Sequence, residues 1–153
     1  MRIIATSDTH RRMNYLYDII ERHRENAQLF INCGDTEADI DNVTFLYPDV
    51  RLECVCGNCD WESTLPNYKV IDFSGKKVFF CHGHTYGVKH GYEMLLDEAK
   101  RVGADICIFG HTHNPSVEKI DGIYLINPGA VCNSSYAVID IVDGKINAYN
   151  AKV

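Results

Sequence analysis

Residues 2–10 read RIIATSDTH, a short apolar run that stops abruptly at Ser7, Asp8, Thr9 and His10. A continuous apolar run of this length, bounded by polar residues, marks a strand buried on both faces. The form recurs five times downstream. LFINC (29–33) ends in Gly34-Asp35, and LECVC (52–56) in Gly57-Asn58-Cys59-Asp60. VFFC (78–81) ends in His82-Gly83-His84, and ICIF (106–109) in Gly110-His111-Thr112-His113. IYLI (123–126) ends in Asn127-Pro128-Gly129. Each strand therefore finishes in Asp, Asn or His, nearly always beside glycine. Ligand sites of open α/β sheets lie beyond the carboxyl ends of strands, and glycine there lets the backbone turn and approach a ligand closely. If these strands share one sheet edge, their polar ends converge.

Between the strands, Leu16, Ile19, Ile20 and His23 recur at helical spacing and predict a helix over about 13–25. Residues 36–48 (TEADIDNVTFLYP) carry a short helix closed by Pro48, and residues 90–102 a helix stopped by Gly103. Ser74-Gly75, Asp121-Gly122 and Asp143-Gly144 each separate two strand-like runs and read as hairpin turns. The first half alternates strand and helix; the last third is mostly hairpins. The expectation is an α/β protein with a mixed, two-layered β core between helices. Its 153 residues fit a single domain, 1–153, large enough to bury a core without staples.

Composition narrows the function. A formal net charge of -6 argues against a dedicated nucleic-acid binder, although bound cations can reverse the local field for an anionic substrate. No stretch approaches the roughly 20 apolar residues of a membrane span, and the N-terminal run is too short for a signal peptide. The 7 cysteines are odd in number and mostly sit in apolar runs, which points to a reducing, cytoplasmic setting rather than a disulfide framework. Cys54, Cys56 and Cys59 spell a formal C-x-C-x-x-C, but no second pair follows at zinc-like spacing. Cys54 and Cys56 are expected in one strand, facing the same side.

Taken singly, Asp8 or Asp35 reads as a helix N-cap, Asn58 as a turn residue, and His82 or His84 as a loop histidine. The ensemble does not: five of the 7 histidines fall in three short clusters at strand ends. Asp, His and Asn donors suit Mn, Fe, Zn, Co or Ni better than Mg or Ca, which prefer all-oxygen sites. Seven donors exceed what one tetrahedral site needs. Two divalent ions would bring four positive charges against two from Asp8 and Asp35, a balance suited to a hydroxide between the metals and a phosphate oxygen.

The motifs Asp8-Thr9-His10, Gly34-Asp35, Gly57-Asn58-Cys59-Asp60, His82-Gly83-His84 and Gly110-His111-Thr112-His113 resemble, in this order, those of calcineurin-like metallophosphoesterases, especially the small single-domain phosphodiesterases. The resemblance implies a two-layer β-sandwich flanked by helices. It implies that Asp8, His10 and His113 bind one metal, that Asn58, His82 and His111 bind the other, and that Asp35 bridges them. Manganese is the first choice, with Ni, Fe, Co or Zn also suited. The implied reaction is phosphodiester hydrolysis by hydroxide bridging the two metals. The alternatives are a phosphomonoesterase, with Arg11 and Arg12 as further phosphate partners, and a non-catalytic scaffold of the same fold. The substrate is expected to be a small phosphodiester, with neither a membrane nor long nucleic acid as partner; a homodimer is compatible.

One position departs from the family. The superfamily usually has histidine after Gly-Asn, where this chain has Cys59. The catalytic group is accordingly read as Asp35, Asn58 and Cys59, with His84 as a stand-in for the missing acid. Asp60 is expected to lack its usual partner. A thiol donates a proton less readily than imidazolium, so catalysis is expected to lean on the metals and to favour good leaving groups.

Overall fold

The computed structural model describes residues 1–38 and 40–153; residue 39, inside the stretch read as carrying the short helix, lies outside the described residues. The elements follow the sequence reading closely. They are β1 (Arg2–Thr6), α1 (Met13–His23), β2 (Leu29–Asn32), α2 (Asp41–Leu46), β3 (Leu52–Cys54), β4 (Tyr68–Phe73), β5 (Lys76–Cys81), α3 (Glu93–Val102), β6 (Ile106–Phe109), β7 (Ser116–Ile120), β8 (Ile123–Asn127), β9 (Ser135–Val142) and β10 (Lys145–Lys152). Two single 3-10 turns, His84–Tyr86 and Val131–Asn133, were not anticipated. Ser74-Gly75, Asp121-Gly122 and Asp143-Gly144 all have positive φ and join strands across two-residue loops, as the hairpin reading required.

The strands form two five-stranded sheets, in the orders β10-β9-β1-β2-β3 and β4-β5-β6-β8-β7. In the first, β1, β2 and β3 are parallel neighbours; in the second, β5, β6 and β8 are. Strand alternation then assigns every apolar residue a layer. Ile3, Ala5, Leu29 and Ile31 meet Val78, Phe80, Ile106 and Ile108 in a central core between the sheets. Ile4 and Phe30, on the opposite face, pack with Leu16, Ile19 and Ile20 of α1. Phe79 and Cys107 face the other way and pack with Leu95 and Ala99 of α3. The fold is a two-layer β-sandwich flanked by helices, and no helix among the described residues is long and apolar enough to cross a membrane.

Two expectations need correction. The polar strand ends do not share one sheet edge: three belong to each sheet, and they meet because the sheets face one another. Cys54 and Cys56 do not share a strand either. Strand β3 stops at the buried Cys54, because the chain then turns toward Pro66, whose carbonyl accepts from the Cys56 N–H at 3.0 Å.

His23, the last residue of α1, is 7% exposed, with Nε2 3.0 Å from the Tyr136 hydroxyl. Burial lowers its pKa below the ordinary histidine value. The folded state therefore favours neutral His23. Its contribution to stability is complete above the unfolded value of about 6.5 and is lost as pH falls through that value toward the depressed folded one. Denaturant unfolding of wild type and His23→Gln from about pH 7.5 to 5 is expected to show a steeper acid loss of stability in wild type. Parallel curves would refute it.

Candidate metal centre

Beyond the strands the backbone keeps pairing, which brings the loops together. Asp8 N–H donates to the Gly34 carbonyl at 2.9 Å, His10 N–H to Asp35 at 3.0 Å and Gly110 N–H to His82 at 3.0 Å. Such close approach leaves no room for side chains at the crossings. A Cβ on Gly57 would collide with Asp35 Oδ1, and one on Gly110 would collide with Ser7 Oγ and stand 2.7 Å from Asp8 Oδ2. Asp8, His10, Asp35, His111 and His113 all have positive φ. Non-glycine residues adopt this region only where surroundings enforce it, and they cluster at functional sites.

The seven residues read as metal donors come together. Donor atoms of Asp8, His10 and His113 lie within 4.8 Å of one another, as do those of Asp35, His82 and His111 and those of His10, Asp35 and Cys59. Asn58 joins the second group, its Oδ1 3.1 Å from His82 Nε2. His84 stands beside them, its ring 5.4 Å from His82 and 6.1 Å from His111 between centroids.

The hydrogen bonds decide which atom of each ring faces inward. His82 Nδ1 is 2.8 Å from the Cys33 carbonyl, which only accepts, so Nδ1 carries the proton and the Nε2 lone pair points to the centre. Nε2 lies 3.2 Å from Asp35 Oδ2. Likewise His10 Nδ1 donates to Glu37 Oε2 at 2.9 Å, turning Nε2 toward His113 Nε2 at 3.3 Å and Asp8 Oδ1 at 3.7 Å. Asp8 Oδ2 is satisfied by Ser7 Oγ at 2.6 Å and the His111 N–H at 3.0 Å. Asp8 Oδ1 is buried with no hydrogen-bond partner, 3.1 Å from His113 Nε2. Carboxylate oxygens and imidazole lone pairs facing one another at this half-buried end of the sandwich repel unless a proton or a metal cation lies between them. This donor set fits transition-metal ions.

The electrostatics favour ligation at Asp35 and His111, whereas without a metal His82 is drawn toward its protonated form. Burial alone would raise the Asp35 pKa, but the His82 ring and the Cys59 N–H at 2.7 Å more than offset it and hold the carboxyl ionised. Burial lowers the His82 pKa, yet the Asp35 hydrogen bond and the Asp8 charge push it above the ordinary value. Burial and the neighbouring His82 push His111 down to about 4, so its imidazole is neutral near pH 7, the form that ligates metal. Burial and Asp35 push the Cys59 thiol up to about 11, so it stays S–H.

Several supporting residues escaped the sequence reading. Glu37 orients His10, and Ser7 orients Asp8. Asn32 Oδ1 accepts from the Gly34 N–H at 2.9 Å and lies 3.2 Å from the Thr36 hydroxyl. Asp60 is not left without a partner. Its carboxylate accepts the N–H groups of Asp35 and Gly57 at 2.8 Å and of Glu37 at 3.0 Å, because the loop after β3 folds against the loop after β2. The Asn127-Pro128-Gly129 motif acts similarly: Asn127 Nδ2 donates to Thr112 Oγ1 at 2.9 Å and holds the His111–His113 loop. Next to the centre, a cleft of about 660 Å³ is lined by residues 36–38, 40–41 and 59–65.

A two-sheet sandwich with Asp and His donors gathered at one end carries a candidate metal site, and comparison with known proteins gives the family. Residues 1–144 match the model of the calcineurin-like phosphoesterase superfamily domain, and the chain belongs to that superfamily. It is 30% identical over 147 residues to the probable metallophosphoesterase YsnB of Bacillus subtilis, covering 92% of this chain and 85% of the relative. It is 27% identical over 167 residues to phosphodiesterase MJ0936 of Methanocaldococcus jannaschii, covering 97% and 96%. The crystal structure of a predicted phosphoesterase from Streptococcus pneumoniae superposes with a TM-score of 0.85 at 25% identity, covering 99% of this chain and 88% of that one.

Proposed function

We propose that this chain is a phosphodiesterase with a dinuclear metal centre. Asp8, His10 and His113 hold one cation, Asn58, His82 and His111 the other, and Asp35 bridges them. The observation that carries this reading is the buried, unpartnered Asp8 Oδ1 among inward-turned imidazoles. The similarity to a protein named a phosphodiesterase supports diesters over monoesters. When bound, two divalent ions supply a water ionised to hydroxide between them and neutralise phosphate charge; manganese is our first choice. Asp35 and Asn58 would act on the phosphate through the metals they hold, and Cys59 and His84, which stand beside those ligands, are the candidate proton donors to a leaving group. The substrate is a small diester, and the seven free cysteines suit a reducing, cytoplasmic setting.

The test is hydrolysis of bis-(p-nitrophenyl) phosphate against p-nitrophenyl phosphate with Mn²⁺ added, alongside metal analysis. Two metals per chain and preferred diester cleavage are expected. Faster monoester cleavage would make the chain a phosphomonoesterase, and bound metal without hydrolysis of either would make it a scaffold. Glu37→Ala frees the His10 ring and is expected to weaken metal affinity about tenfold, since orienting partners of metal ligands are typically worth 10–100-fold. Competition with a metal-binding dye reads this directly, and unchanged affinity would show that Glu37 plays no such part.

A further inference from the structure

The cleft beside the metal centre has a wall that, beyond Cys59, the reaction as described does not use. It begins at Cys59, whose N–H is bonded to Asp35, and runs outward past Trp61, Glu62, Ser63 and Thr64, with Arg11 on the opposite side. Its volume lies in the range of small-molecule sites. Trp61 is the only tryptophan in the chain and is 89% exposed. Indoles are ordinarily well buried, and this one contributes little to the core.

The wall is nevertheless built onto the centre. Trp61 directly follows Asp60, whose carboxylate ties the N–H groups of Asp35, Glu37 and Gly57. Further along, Ser63 N–H donates to the Asp60 carbonyl at 3.1 Å and Leu65 N–H to Ser63 Oγ at 3.1 Å. Arg11 also lines the cleft, and its backbone is fixed there by the N–H that donates to the Thr36 carbonyl at 3.0 Å.

We infer that this cleft binds a nucleobase stacked on Trp61, so that the substrate class is a nucleotide diester. The inference rests on the diesterase reading of the adjoining centre. A flat apolar indole at the cleft wall suits a planar π-system, and base–aromatic stacking tolerates any base. The Glu62 carboxylate and the Ser63 and Thr64 hydroxyls offer acceptors and donors for the edge of a base. Arg11 is the cation among the lining residues, which also include Glu37, Asp41, Asp60 and Glu62, so the phosphate charge is met chiefly by the metals. A simple alkyl diester would use neither the indole plane nor the polar groups beside it, and a glycerol-like one would leave the indole plane unused.

A single tryptophan makes the test direct. In metal-loaded protein, adenosine 5′-monophosphate is expected to quench Trp61 fluorescence saturably, while ribose 5-phosphate, with the same sugar and phosphate but no base, does not. By calorimetry, Trp61→Ala is expected to weaken the adenylate roughly tenfold and leave ribose 5-phosphate unchanged. The catalytic arm compares thymidine 5′-(p-nitrophenyl phosphate) with methyl p-nitrophenyl phosphate, which share a leaving group. Wild type is expected to favour the nucleoside ester about tenfold in kcat/KM, and Trp61→Ala to abolish that preference through KM. Equal cleavage of both esters, with no binding advantage for the adenylate, would overturn the inference and leave the diesterase reading intact. Saturable quenching with both esters inert would uphold base binding and remove the diesterase reading.

Discussion

Asp35→Ala is expected to abolish metal-dependent diester hydrolysis, lowering kcat by about 10³-fold or more. Asp35 belongs to two of the three donor groups: its Oδ2 is 3.2 Å from His82 Nε2, and a side-chain oxygen lies within 4.8 Å of the His10 and Cys59 donors. Removing it takes one of the two negative charges from the centre and leaves the Cys59 N–H without its acceptor. The protein should still fold. Asp60 continues to tie the neighbouring loops through three N–H groups, and a lost hydrogen bond here costs about 1–3 kcal/mol. Metal analysis is expected to find fewer than two ions per chain in the variant. Asp35→Asn, which keeps the shape without the charge, separates the two causes and should be nearly as damaged. Full activity in either variant would exclude a bridging carboxylate at this position.

The second large effect lies at Cys59. Its thiol, pushed up to about 11 by burial and by Asp35, is a weak proton donor near neutral pH. A phenolate departs without help, whereas an alkoxide needs a proton. Turnover is therefore expected to fall steeply as the pKa of the leaving group rises. Cys59→His is expected to raise turnover on alkyl leaving groups by about 10²-fold and to leave activated aryl diesters within about twofold, the range in which a positioned acid acts. A flat dependence on leaving-group pKa in wild type would mean that another acid is already efficient. His84 is the group to examine then: its Nδ1 is buried without a partner and its ring packs on His82. Burial and the nearby His82 lower its pKa, which keeps it a neutral N–H donor rather than an imidazolium.

Much of this was legible along the chain. Runs such as ICIF and LFIN announce doubly buried strands because the alternation of faces is a local property. The Asp-Gly and Ser-Gly pairs announce two-residue hairpins because their backbones tolerate positive φ. The donors Asp8, His10, Asp35, Asn58, His82, His111 and His113 stood out because metal-capable residues had collected where strands stop. Less legible were the residues that hold those donors. Glu37 gives no periodic or motif signal; its role depends on a hydrogen bond across 27 positions. Asp60 read as an acid deprived of its companion, whereas three backbone N–H groups already claim it.

The sequence by itself determined the elements, their turns, the chemical types of the donors and the departure at Cys59, since each is written in consecutive residues. Only the tertiary structure decided that the donors come from two facing sheets. It also decided which nitrogen of His10 and His82 turns inward, and that Asp8 Oδ1 is buried without a hydrogen-bond partner. Those outcomes depend on pairings as distant as Asp8 with His111, 103 residues apart, and on the low polarizability of a core in which a buried carboxylate oxygen without a partner is costly.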